Sequence, residues 1–227
     1  MKKNLSVLNR FNVLKEIFDF LSTESKAVVL RKSDLILQST VKEDIDLLLS
    51  PSIEKKLGNL LNSYGFRKTI DNRLFNSYLY GSKPHVHYIS KDLDLHFDIV
   101  YSVIHRSLWF ESFPGITVTQ WIPMHQDIQD EMWHNCSFID CKNFKIPVLS
   151  AISELLHIIC HVILDKKGVI SKYYIQRISY LVPIVDMKEL KIYLDKVFYS
   201  FSDVIVSQCT SGELKSLYVN YIQFKNY

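Results

Sequence analysis

Little in this chain points to nucleic acid, to a membrane or to structural zinc. Its net charge is only +3 over 227 residues, and it has no run of Lys and Arg of the kind that marks a nucleic-acid arm. No nucleic-acid partner is expected. The four cysteines, Cys136, Cys141, Cys160 and Cys209, lack the paired spacing of a zinc site, so reduced thiols are expected. Near the N-terminus Asn9, Arg10, Asn12, Lys15 and Glu16 break up the apolar residues, which makes an amphipathic helix and not a signal-peptide core. The most apolar later segment, Val148 to Leu164, carries Glu154, His157 and His161 and is too short and too polar for a membrane span. A cytoplasmic protein without a membrane span is the expectation. Internal repeats and low-complexity tracts are lacking too, while a hydrophobic fraction of 48% argues against disorder.

What is present begins with Lys42-Glu43-Asp44-Ile45-Asp46-Leu47-Leu48-Leu49. Side chains alternate faces along a strand, so Asp44 and Asp46 share one face while Ile45, Leu47 and Leu49 take the other. Two carboxylates held this closely repel unless a cation neutralises them, and a divalent metal is the usual answer. On this reading Asp46→Asn leaves the fold intact and, by removing one of two repelling acids, raises the stability of the metal-free protein. Leu93 to Val100 repeats the alternation, with Asp94, His96 and Asp98 facing one way. A second strand beside the first brings Asp98 to the same cluster. Three carboxylates on two neighbouring strands suit a two-metal phosphoryl-transfer site, in which ions roughly 3.5–4 Å apart stabilise the attacking and leaving oxygens.

These residues resemble the nucleotidyltransferase superfamily, which has the polymerase β-like fold. Its pattern is a small-residue turn, about ten residues, an Asp-x-Asp strand, and a third Asp on a later strand. Ser33 precedes Asp44 with ten residues between, but the usual Gly-Ser pair stands here as Lys32-Ser33. A Gly at that point lets the backbone approach nucleotide phosphates. A bacterial subgroup associated with surface-polysaccharide clusters is similar over residues 26–180. The likeness lies in Val28-Val29-Leu30-Arg31, Asp44-Ile45-Asp46-Leu47-Leu48, the Gly65-Phe66 turn, His161, Lys167-Gly168 and Lys172-Tyr173. The resemblance implies Mg²⁺ or Mn²⁺ on Asp44, Asp46 and Asp98, with Asp98 assisting deprotonation. It further implies a nucleoside triphosphate met by Arg31, Lys32 and Ser33 and, from a helical part, by Lys167 and Lys172. The acceptor it implies is a small molecule, a sugar or sugar phosphate. Two other readings stay open: a phosphocholine-type glycan transferase of the same fold, whose acidic cluster is usually denser, and a non-catalytic nucleotidyltransferase-like binding protein.

The rest of the pattern predicts an α+β fold. A mixed sheet with helices on one face occupies residues 1–146, and a helical subdomain occupies 147–227. Helices are expected over Leu5 to Leu21, from Ser50 or Ser52 to Gly65, and over 148–165, 171–181, 187–200 and 211–223, with Pro147 opening the helical remainder. Strands are expected over Lys26 to Leu30, Leu74 to Tyr80, His85 to Ser90 and 94–103. Residues 104–147, punctuated by Pro114, Gly115 and Pro123, read as loop-rich with two short strands. His157 and His161 lie on one helix face without the Glu that a protease zinc motif requires, and read as a structural or substrate-contacting pair. His85 and His87 read as an exposed turn flank.

Overall fold

A computed structural model describes residues 10–36, 44–70, 85–113, 116–141 and 143–225, with backbone alone at 70, 107–121 and 225. The chain divides into two compact units. One comprises Met1–Val103 and Asp130–Leu149, the other Ile104–Gln129 and Ser150–Tyr227. The break at 149/150 lies three residues beyond the expected 146/147. Residues 104–129 group with the helical unit and not with the sheet.

In the first unit seven described strands form one mixed sheet, in the order β3-β4-β5-β2-β1-β9-β8. They are β1 (Ala27–Val29), β2 (Ile45–Leu49), β3 (Arg67–Ile70), β4 (Val86–Ser90), β5 (Leu95–Val100), β8 (Ser137–Cys141) and β9 (Phe144–Val148). The pairs β2/β5 and β1/β9 are parallel and the others antiparallel. Period two decides which face each residue takes. Ala27, Val29, Ile45, Leu47, Leu49, Phe97 and Ile99 join one core with Val13, Leu14, Ile17, Phe18 and Leu21 of α1 (Arg10–Thr23) and Leu57 and Leu61 of α2 (Glu54–Ser63). Phe144 of β9 receives Phe18 stacked at 6.1 Å and Phe11 edge-on at 5.5 Å. Helix α2 stops where expected. Gly65 takes φ 80°, its N–H reaches Asn62 O and that of Phe66 reaches Leu61 O, a Schellman closure that an L-residue resists.

The second unit holds the hairpin β6 (Ile104–Phe113) and β7 (Ile116–Pro123) and the helices that follow Ser150. These are α4 (Ala151–Cys160), α5 (Lys172–Leu181), α6 (Met187–Phe198), α7 (Ser202–Ser211) and α8 (Leu217–Lys225). Helix α3 (Gln126–His134) carries the boundary between the units. The caps are Ser150 on Ser153 N, Ser171 on Tyr174 N, and Asp186 on Lys188 N and Glu189 N, the side chains suited to orphan N–H groups.

Several expectations change. Residues 104–147 are strand-rich, because the β-branched alternation of Ile116 to Val118 outweighs the flanking Pro and Gly. Pro147 sits inside β9, opposite Phe138, and does not open a helix; Ser150 does. Arg67–Ile70 is a strand that sequence reasoning missed. The expected 187–200 helix ends at Phe198, and α7 was not foreseen. The expected strand Leu74 to Tyr80 lies outside the described residues. Among the described residues no helix is long and apolar enough to cross a membrane.

Candidate active site

The sheet face opposite α1 and α2 carries the acids. In the β2/β5 register Asp46 lies directly beside Asp98, flanked by Ile45 beside Phe97 and Leu47 beside Ile99. On the other flank of β5, His87 lies beside Asp98. Residues in register on neighbouring strands point to the same face, so His87, Asp98 and Asp46 form a row across three strands. Asp44 immediately precedes β2, and His96 lies two residues before Asp98.

Every acid in this row meets a base. Arg31, just past β1, sends Nε to Asp46 Oδ2 at 2.7 Å and Nη2 to Asp46 Oδ1 at 2.9 Å, the two-pronged geometry that makes Arg–carboxylate pairs strong. The backbone holds this in place, since Leu30 N–H donates to Asp46 O at 2.9 Å. Asp44 Oδ1 lies 2.6 Å from His96 Nδ1. His96 Nε2 lies 3.0 Å from His87 Nδ1. The Nδ1 atoms of His85 and His87 stand 3.2 and 3.6 Å from Asp98 Oδ1. A continuous chain thus runs from Asp44 through His96 and His87 to Asp98. Burial alone would push the Asp98 carboxyl up, but the imidazoles of His85, His87 and His96 outweigh it and hold it below the usual carboxylate range. Asp98 Oδ1 is buried and, among the described residues, accepts no well-directed hydrogen bond, its nearest donor being His85 Nδ1 at 3.2 Å.

Two expectations need correction. Repulsion between Asp44 and Asp46 is answered by Arg31 and His96, so removing Asp46 strands a half-buried guanidinium and lowers stability. His85 and His87 are not an exposed turn flank: their side chains are 19% and 17% exposed and turned to Asp98. The signal for them was present, since His85 and His87 alternate on one strand and His96 shares the Asp98 face.

The turn after β1 bears on the missing glycine. Lys32 takes φ 56° and ψ 27°, and Ser33 opens a 3-10 turn, Ser33–Leu35, with its own side chain buried. A left-handed conformation is the one Gly adopts at little cost, so Lys32 occupies a backbone position that favours Gly. Lys167 and Lys172 belong to the second unit and are exposed there, Lys167 with φ 49° and Lys172 at the first position of α5. Among the described residues no group of three or more His, Cys, Asp or Glu side chains is arranged to hold a metal ion.

Comparison with family models, with curated proteins and with solved structures returned no match.

Proposed function

We propose that the chain is a metal-dependent nucleotidyltransferase of the polymerase β-like kind. It transfers a nucleoside monophosphate from a nucleoside triphosphate to a small acceptor, a sugar or sugar phosphate. The observation that carries this reading is the register of β2 and β5, which sets Asp46 beside Asp98 on the face that also bears Asp44. The left-handed Lys32 followed by the Ser33–Leu35 turn supports it, because successive left- and right-handed residues are the backbone pattern from which anion-binding concavities are built.

The donor type suits Mg²⁺ or Mn²⁺, and gathering the acids round an ion requires Asp46 to leave Arg31 and Asp44 to leave His96. Three carboxylates are hard oxygen ligands, and Asp98 Oδ1 is a buried acceptor with no well-directed donor. Asp44, Asp46 and Asp98 would hold the metal, which when bound neutralises triphosphate charge and polarises the transferred phosphoryl group. The chain's own groups do the rest. Asp98 would accept the proton of the acceptor hydroxyl. Arg31 exchanges Asp46 for a phosphate oxygen, a partner of equal charge and fork geometry. Ser33 and Lys32 meet the phosphates at the turn.

One observation favours a second reading, a non-catalytic nucleotide-binding protein: the Arg31 fork occupies both oxygens of Asp46. Pyrophosphate release separates the two. The chain is incubated with each labelled triphosphate and Mg²⁺ or Mn²⁺, with and without sugar phosphates. Acceptor-dependent release that disappears in Asp46→Asn supports the transferase. Triphosphate binding without release in any combination overturns it in favour of the binding protein.

A further inference from the structure

The second unit contains a histidine–carboxylate cluster beside a cavity, neither of which the reading above uses. Helix α4 ends in a five-residue π-turn, His161–Asp165, a local distortion that recurs at functional positions. It places the Asp165 carboxylate against three donors. His105 Nδ1 lies at 2.8 Å, His161 Nδ1 at 2.9 Å, and the Arg106 backbone N–H at 2.8 Å. Asp165 thereby fixes the start of β6, and with it the positions from which His105 and Arg106 project. His105 is 2% exposed, and its Nε2 has no hydrogen-bond partner among the described residues. A buried imidazole anchored at one nitrogen and unsatisfied at the other is costly unless something uses it.

His105 and Arg106 line a cavity of about 280 Å³ together with His125, Lys196, Tyr199 and Tyr221. That volume lies just below the usual range of ligand sites, roughly 300–1,000 Å³, which limits the occupant to a small molecule. None of the described lining residues is acidic. Asp127, outside the lining, pairs with Lys196 and faces His125 at 3.5 Å. Tyr199 is 76% exposed and holds φ 52° and ψ −137° at the end of α6, a strained conformation for a bulky L-residue. An exposed aromatic held under strain at a cavity mouth is a platform for a ring.

We infer that this cavity is a binding site for a small phosphomonoester that carries a sugar-sized ring. Arg106, Lys196 and His125 supply donors from separate elements, which suits the three terminal oxygens of a phosphate better than the two of a carboxylate. Tyr199 covers the ring, and Ile122 and Val197 supply apolar wall. The site stands on the second unit alone and does not depend on the transferase reading.

Calorimetry on the full chain tests it, with a hexose 6-phosphate, inorganic phosphate, the free hexose and a hexuronate as separate probes. The hexose phosphate is expected to bind at least tenfold more tightly than the other three. Arg106→Ala and Lys196→Ala are each expected to weaken it about 10- to 100-fold, as loss of one charge-assisted contact implies. Both positions are exposed, and the melting temperature of each variant checks that it is folded. Equal affinity for inorganic phosphate and hexose phosphate would reduce the site to an anion hole and overturn the ring assignment. No binding of any probe, or a hexose phosphate affinity that neither cavity variant changes, would overturn the site.

Discussion

Asp98 and Asp165 are both buried carboxylates faced by histidines, yet their surroundings differ in one respect. Asp165 is satisfied on all sides, by two imidazole Nδ1 atoms and a backbone N–H at 2.8–2.9 Å. Asp98 has its imidazoles at 3.2 and 3.6 Å and an oxygen with no well-directed donor. Burial pushes both carboxyls up, and in both the imidazoles win, holding Asp98 below and Asp165 far below the usual carboxylate range. The satisfied acid is a fastening. The loosely held acid keeps capacity for a cation or a proton. Closely similar residues are thus held tightly in one unit and loosely in the other, and the length of the contacts separates them.

The strongest way to break this comparison is Asp165→Asn. Removing the charge leaves His105, His161 and a buried N–H facing a neutral group, and a loss of about 3 kcal/mol is expected, in the range for breaking a buried pair. Thermal unfolding measures it. The pH dependence has a definite sign: a carboxyl lowered in the folded state contributes stability that is present above its unfolded value, near pH 4, and is lost as pH falls towards the folded value. The natural chain should therefore lose stability steadily below about pH 4, and Asp165→Asn should lose less over the same range. Equal acid sensitivity would mean that Asp165 is no fastening.

Next in size is Asp46→Asn, expected to cost about 1.5–3 kcal/mol by loosening the charge-assisted Arg31 fork and to abolish any transfer activity. Its companion sharpens the metal question. Arg31→Ala should destabilise the chain by a similar amount, and Mn²⁺ should then raise its melting temperature more than it raises that of the natural chain, since ligand linkage stabilises whichever form binds better. No difference between the two would count against metal on Asp46. Asp98→Asn should cost less than Asp165→Asn, because its imidazoles stand farther off, at 3.2 and 3.6 Å, while removing activity as fully as Asp46→Asn. A fall as large as that of Asp165→Asn would erase the distinction drawn between the two acids. Smallest is Tyr199→Gly, expected to raise stability by about 1 kcal/mol, the relief of strain minus the entropy of an added glycine, while weakening hexose phosphate binding. A loss of stability would show that Tyr199 is held by packing and not kept for a ligand.

Local period was legible from the residues alone. Alternation placed Asp44 and Asp46 opposite Ile45, Leu47 and Leu49, put His96 on the face of Asp98, and ended α2 at Gly65, because these depend on backbone geometry within a few positions. The same logic failed over 104–147, where Pro114, Gly115 and Pro123 suggested loops while strand pairing, a long-range term, built two hairpins. Left-handed backbone at Lys32 was hidden for a related reason: a lysine carries no sign that its neighbours will hold it there.

The sequence by itself determined which residues share a face and which carry charge, since side-chain direction follows from the strand repeat. Only the tertiary structure decided what each charge meets. Arg31 reaches Asp46 across fifteen positions of chain, and His105 reaches Asp165 across sixty. Such pairs depend on register and topology, and no local repeat encodes them.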